Sequence, residues 1–128
     1  MAAGAAVELL GGAPKQSAQA VAITFKNMLG LVCDPVAGLV EVPCVKRNAA
    51  GAAQCFIAID LAMAGVESVI PPDEVIDAMA RIGNRMDRSF KETALGGLAA
   101  TPTGQRLMQQ VREQRINERK PSKKQSVE

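Results

Sequence analysis

The sequence predicts an all-α protein, and three observations support this. Glycine and proline divide the 128-residue chain into segments whose apolar residues recur at three- and four-residue spacing, and no segment has the alternating pattern of a β-strand. Alanine, the strongest helix former, is the commonest residue, with 21 occurrences. A hydrophobic content of 48% is enough for a packed core, and the length suits one domain. We therefore expect one helical unit with a long cysteine-containing loop between helices.

Five helices are predicted from their start and stop signals. The first two end at glycines, and Pro14 suits the first turn of the second helix. The third is apolar on most of its circumference, which predicts a central, buried position. The fourth follows Pro71 and Pro72 and opens with two acidic residues, which favour a helix N-terminus, and the last follows Thr101-Pro102-Thr103. The predicted ranges are residues 1–10, 14–29, 47 or 48 to 64, 73–86 and 104–117.

The loop between the second and third helices, Leu31–Lys46, carries two cysteines. Fully extended, the chain from Cys33 to Cys44 would span roughly 36 Å. Two prolines and a glycine within it allow the chain to fold back and bring the two sulfurs together. Loops of this length between buried helices are often functional, whereas a buried loop with two inert thiols fits the same spacing. The spacing alone leaves both interpretations open.

The absence of histidine excludes several kinds of site from this chain. Histidine is the commonest general base and a frequent zinc ligand, so Ser–His–Asp and Cys–His hydrolase sites and His-containing zinc sites are excluded. The three cysteines, at positions 33, 44 and 55, cannot all pair within the chain. Their spacing matches neither zinc ribbons nor the bacterial ferredoxin motif. A reducing, cytoplasmic compartment is therefore expected.

Charge divides the chain into two parts. Residues 1–104 have a net charge of −2, and residues 105–128 have a net charge of +4. The first part is expected to be the helical domain, and the second a terminal helix with a basic, solvated tail, Pro121–Glu128. Because such a tail suits an anionic partner, a non-catalytic helical interaction module is an alternative function; a tail that only aids solubility is the other interpretation. The apolar stretches are too short to span a bilayer, and neither a membrane nor a nucleic acid is an expected partner.

Several strings of the sequence closely resemble a known enzyme family. They are GLVCDPVAGLVEVPCVKRNAAGAA (residues 30–53), IPPDEVIDAM (70–79) and KETALGGLAATPTG (91–104). Together with MAAGAAVELLGG at the start, they resemble the C-terminal part of the bacterial iron–sulfur-dependent L-serine dehydratases, in the α subunit or α domain. The resemblance covers residues 1–104. The first string is long and unusual, which makes chance agreement very improbable.

The resemblance implies an enzyme that converts L-serine to pyruvate and ammonia with a [4Fe-4S] cluster and without pyridoxal phosphate. In this family three cysteines hold the cluster, and one iron stays open to act as a Lewis acid on the serine hydroxyl. Two of those ligands correspond to Cys33 and Cys44. The third lies upstream of the segment equivalent to Met1, so we expect a C-terminal fragment that is inactive alone. The expected partners are L-serine, the upstream α segment, and a β domain or β subunit, in an oligomeric enzyme.

Cys55 is not expected to be a cluster ligand. The third ligand of the family lies on the other side of the Cys33–Cys44 pair, and the position of Cys55 is typically an ordinary helix residue. Its neighbours on the same helical stripe, Ala52 and Ile59, also mark it as a small core residue.

Other residues of the resemblance have weaker assignments. Arg47 and Asn48 follow Cys44 closely and are candidates for binding the serine carboxylate, although exposed basic groups at a helix cap are an equally good interpretation. Asp34 is expected to accept backbone hydrogen bonds within the loop. The string Lys91-Glu92-Thr93 marks the family without an assigned role, and no residue of the chain is identified as the general base.

Overall fold

The computed structural model describes residues 1–119, and the all-α prediction is confirmed within them. They contain five α-helices and three short 3-10 turns, Val36–Gly38, Arg88–Phe90 and Gly97–Ala100, with no β-strand. A single isolated bridge pairs Cys33 with Lys91 in parallel orientation. The helices are α1 (Ala2–Leu9), α2 (Pro14–Lys26), α3 (Cys44–Met63), α4 (Pro72–Arg85) and α5 (Pro102–Arg119).

The core forms where α1, α2 and α3 pack on one another, and α4 packs against α2. Its buried residues are mostly small, which lets the helices approach closely. At Gly4 of α1, for example, an added Cβ would lie only 3.0 Å from a methyl group of Val21 on α2. Helix α5 packs apart from this core, because its main contacts are with the turns at 36–38 and 97–100. The core residues are Ala3, Val7, Ala20, Ile23, Ala58, Ile59 and Ala62.

Three predicted helix boundaries are wrong by two to four residues. Helix α2 ends at Lys26 rather than Leu29, because the chain then turns through residues 27–30 and reaches a left-handed φ of 72° at Gly30. Helix α3 begins at Cys44, three residues earlier than predicted, since the carbonyl of Pro43 already accepts the Arg47 N–H at 3.1 Å. Helix α5 begins at Pro102, and a proline suits this first position.

The predicted central burial of α3 is wrong for the described part of the chain. Ala58, Ile59 and Ala62 face the core, but Phe56 is 70% exposed and Ile57 is 47% exposed. The reason is that α1 and α2 cover one side of the helix only. The apolar face of α4 is also only partly covered, since Val75 is buried while Ile76 and Ile82 are exposed.

The basic tail predicted for Pro121–Glu128 lies outside the described residues. Within residues 1–119, no helix has both the length and the apolar character that crossing a membrane requires.

Candidate functional site

Both cysteines of the long loop line one open cavity of about 270 Å³. Three further polar residues line it with Cys33 and Cys44: Arg47, Asn48 and Glu92. The remaining wall is mainly apolar and comes from Met28, Leu31, Val32, Pro35 and Val40. The fold therefore brings together the two loop cysteines and the two residues, Arg47 and Asn48, that the sequence indicated as candidates for binding the serine carboxylate.

The loop folds back on itself, as its prolines and glycine predicted. The Val36 N–H donates to the Val42 carbonyl at 2.8 Å, which closes the segment between the two cysteines. A 3-10 turn over Val36–Gly38 reverses the chain, and Gly38 has a left-handed φ of 69° that favours glycine. These contacts bring Cys44, the first residue of α3, to the same cavity as Cys33.

Cys33 is held through its own backbone by residues 90–93, which include the string Lys91-Glu92-Thr93. The Cys33 N–H donates to the Phe90 carbonyl, and the Glu92 N–H donates to the Cys33 carbonyl, both at 2.8 Å. Glu92 adopts a left-handed φ of 62°, and its side chain lines the cavity. Thr93 closes the turn, because its hydroxyl donates to the carbonyls of Arg88 and Ser89. The string that marked the family without a role thus forms the support of Cys33.

The charges of the cavity act on the Cys33 thiol. Partial desolvation and then the negative charges of Glu92, Cys44 and Asp34 raise the pKa of Cys33, while Arg47 lowers it. Thiolates and not thiols bind metals, so a cation bound at Cys33 would have to displace the thiol proton.

Asp34 is a buried carboxylate, only 1% exposed, that joins three segments. Its Oδ1 accepts a hydrogen bond from the Arg47 guanidinium on α3, and its Oδ2 accepts from the Leu98 N–H at 2.6 Å. Burial acts to raise the pKa of Asp34, but the hydrogen bonds from Leu98 and Arg47 outweigh it and hold that pKa below its ordinary value. The expectation that Asp34 accepts a backbone hydrogen bond is right, but the Leu98 donor lies 64 residues away rather than within the loop.

The Arg47 side chain is committed to protein acceptors through one nitrogen. Its Nη1 donates to the Val32 carbonyl at 2.8 Å as well as to Asp34, and the side chain is 36% exposed. Asn48, the next residue of α3, is exposed. Arg47 is therefore part of the loop's structure as well as part of the cavity wall.

Cys55 lies away from the cavity, on the helix face that packs against the core. Its Sγ donates to the Gly51 carbonyl at 3.6 Å, and the residue is half-buried. Across residues 1–119, no group of three or more histidine, cysteine, aspartate or glutamate side chains is arranged to hold a metal ion. The cavity thus contains two thiols, and a centre held by three cysteines would require one more from elsewhere.

Cys55→Ala is expected to lower the free energy of unfolding by about 1 kcal/mol, because it removes one half-buried sulfur atom from the edge of the core. Urea unfolding followed by circular dichroism measures the change. The alkylation rates of Cys33 and Cys44 in the folded chain should remain those of the wild type. A change in either rate would contradict the separation of Cys55 from the cavity.

Comparison with known proteins gives consistent matches along this chain. The family described as "Serine dehydratase alpha chain" matches residues 1–99. The "Probable L-serine dehydratase, alpha chain" of Bacillus subtilis (strain 168) is 66% identical over 111 residues, which are 87% of this chain and 37% of the Bacillus protein. The protein of the same description from Latilactobacillus sakei is 57% identical over 111 residues, covering 87% of this chain and 53% of that protein.

A third relative, the "L-serine dehydratase, alpha chain" of Peptoniphilus asaccharolyticus, is 56% identical over 107 residues. The match covers 84% of this chain and 37% of the Peptoniphilus protein. This chain therefore spans about a third to a half of the length of the relatives it matches. No solved structure matches it.

Proposed function

Because this chain belongs to the serine dehydratase alpha chain family, we propose that it forms part of an L-serine dehydratase that eliminates water from L-serine to give pyruvate and ammonia. The observation that carries this proposal is the shared cavity, where two thiols lie beside an arginine, an asparagine and a glutamate. No histidine is present to serve as a general base. Since histidine is the commonest general base, we assign removal of the Cα proton to a residue outside these 128, and the chain alone should be inactive.

Cys33 and Cys44 would hold a [4Fe-4S] cluster together with a third cysteine from outside these residues. Thiolates are the usual ligands of iron–sulfur clusters, and the two thiols face a cavity whose other walls leave space beside them. When bound, such a cluster supplies a Lewis-acidic iron that makes the serine hydroxyl a better leaving group, so no pyridoxal phosphate is needed.

The cavity's polar side chains would orient the substrate. The positive charge of Arg47 and the amide of Asn48 are suited to the serine carboxylate. Since Nη1 of Arg47 already donates to Val32 and Asp34, the remaining N–H groups of the guanidinium are the ones available to substrate. The apolar wall would reduce access of water to the reacting atoms.

The exposed apolar surface of this chain is evidence that other segments of the enzyme pack against it. The outer face of α3, formed by Ala49, Ala53, Phe56 and Ile57, is exposed in the described structure. Small residues beside a large aromatic side chain suit close packing of another helix. We assign this face to the remaining α segment, with a β domain or β subunit completing an oligomeric enzyme. Three free cysteines suit a reducing, cytoplasmic location.

The proposed activity is tested with the α chain that contains these residues, combined with its β chain and reconstituted anaerobically with iron and sulfide. L-Serine should yield pyruvate and ammonia in equal amounts without added pyridoxal phosphate. Hydroxylamine, which traps pyridoxal phosphate, should not inhibit the reaction. Pyruvate formation that persists without iron and is abolished by hydroxylamine would contradict the proposal.

Phe56→Glu is expected to weaken the association of this chain with the remaining α segment supplied as a separate polypeptide, because it places a charge in the middle of the outer face of α3. Sedimentation velocity at increasing protein concentration measures the effect. Leu9→Glu is the matched control, since Leu9 is 88% exposed at the end of α1, away from this face. Equal reductions by both variants would contradict a specific docking face on α3.

A further inference from the structure

One guanidinium nitrogen connects both neighbours of Cys33 to the helix that begins with Cys44. Arg47 Nη1 donates to the carbonyl of Val32, which precedes Cys33, and to the carboxylate of Asp34, which follows it. Arg47 itself lies in the first turn of α3, three residues after Cys44. The two cysteines are eleven residues apart in sequence, and this contact joins the backbone around one to the backbone around the other.

The second oxygen of Asp34 is fixed from another direction. The Leu98 N–H in the turn Gly97–Ala100 donates to Oδ2, and the carboxylate is almost wholly removed from solvent. Gly97 has a left-handed φ of 59°, and a Cβ there would lie 2.8 Å from the Asp34 Cβ and overlap Oδ2. The close approach therefore requires glycine at position 97. A buried carboxylate with both oxygens bonded has one favourable position, and loss of either partner is costly.

We propose that Asp34 and Arg47 are positioning residues that fix Cys33 relative to Cys44 for binding of the iron–sulfur cluster, with the turn at Gly97 as their third anchor. This inference rests on the proposed function, in which those two thiols hold the cluster. It assigns to Asp34 a role through the cysteines rather than through contact with substrate. It also gives Arg47 a structural role that is separate from binding the serine carboxylate.

The test uses the full dehydratase, reconstituted anaerobically, and measures the rate at which a ferrous chelator removes iron. Asp34→Asn keeps the size of the side chain but removes the charge that Arg47 contacts. Substitution of residues that orient metal ligands typically lowers metal affinity by about tenfold or more. We therefore expect Asp34→Asn to release iron at least about tenfold faster than the wild type. Asp60 is an exposed carboxylate on α3, and Asp60→Asn should release iron at the wild-type rate.

Gly97→Ala provides a second, independent route to the same displacement, because its methyl group would push the Asp34 carboxylate away. Gly11→Ala is the matched control, since Gly11 also has a positive φ, 79°, but a Cβ there meets nothing within 4 Å. Faster iron release in Gly97→Ala than in Gly11→Ala is the expected result. Equal rates in these two variants, together with a wild-type rate for Asp34→Asn, would overturn the inference.

General loss of stability is separated from positioning by Val7→Ala. Val7 is fully buried in the core among α1, α2 and α3, so this variant lowers the melting temperature without touching the cavity. At a comparable melting temperature, Val7→Ala should release iron at the wild-type rate, whereas Asp34→Asn should not. Equal acceleration in both would reduce Asp34 to a stability role and overturn the inference. Normal cluster binding in Cys33→Ser would instead contradict the proposed function itself.

Discussion

Replacing Cys33 or Cys44 by serine is expected to abolish cluster binding in the assembled dehydratase and, with it, all serine-dependent pyruvate formation. Each variant removes one of the two thiols at the cavity that we propose as cluster ligands. Serine is nearly the same size but is far less acidic than a thiol, so it supplies no comparable anionic ligand. Iron and sulfide content after anaerobic reconstitution, together with the visible absorption of the cluster, measure the loss directly, and a coupled pyruvate assay measures activity.

Cys55→Ala is the matched control, because Cys55 is the third cysteine of the chain and packs on the core side of α3. It should retain iron, sulfide and activity at wild-type levels. Full cluster content in both Cys33→Ser and Cys44→Ser would contradict the assignment of the ligands. Loss of the cluster in Cys55→Ala with retention in Cys44→Ser would show that the ligand set had been chosen wrongly.

The presence of two thiols in one cavity follows from features that are visible in the sequence. Prolines and glycine between Cys33 and Cys44 predict a chain reversal, and the structure closes this segment with a single backbone hydrogen bond from Val36 to Val42. Such local signals depend only on the conformations that these residue types allow. The placement of Cys55 on the core side also follows from helical periodicity.

The contact between Asp34 and Leu98 was beyond local patterns, because 64 residues separate the two. Periodicity reports which face of a helix is apolar and carries no information about which distant turn meets a loop. The adjacent glycines Gly96 and Gly97 were the available signal, since a residue without a side chain often marks a close approach of backbone. Glycine does not identify what approaches, so the carboxylate of Asp34 could not be inferred.

The exposure of α3 shows a second limit of sequence patterns. Most residues around its circumference are apolar, and this predicts surfaces suited to contact. Burial, however, depends on which neighbours are present, and within residues 1–119 only one side of α3 is covered by other helices. The same apolar face that misled the prediction of burial is therefore the best support for a partner that packs there.

Gly104→Ala is expected to lower the free energy of unfolding by about 3 kcal/mol, at the upper end of the usual cost of overpacking. Gly104 is buried in the first turn of α5, where the helix rests on the turn Gly97–Ala100. A Cβ there would overlap the carbonyl oxygen of Leu98 and lie 2.9 Å from that of Ala99. Both obstacles are backbone atoms, so no side chain can rotate away, and either α5 or the turn must move. Urea unfolding of the isolated chain, followed by circular dichroism, measures the change.

The matched control is Gly83→Ala in α4, where an added Cβ meets nothing within 4 Å. Because alanine is the better helix former, this variant should raise the free energy of unfolding by up to about 1 kcal/mol, so the two substitutions act in opposite directions. The displacement caused by Gly104→Ala also reaches the candidate site, since the turn that it moves carries the Leu98 N–H bound to Asp34. Relative to the wild type, Gly104→Ala should therefore change the alkylation rate of Cys33 in the folded chain and leave that of Cys55 unchanged. A stabilising effect of Gly104→Ala, or an unchanged Cys33 rate despite a large loss of stability, would contradict the coupling of α5 to the cysteine loop through this turn.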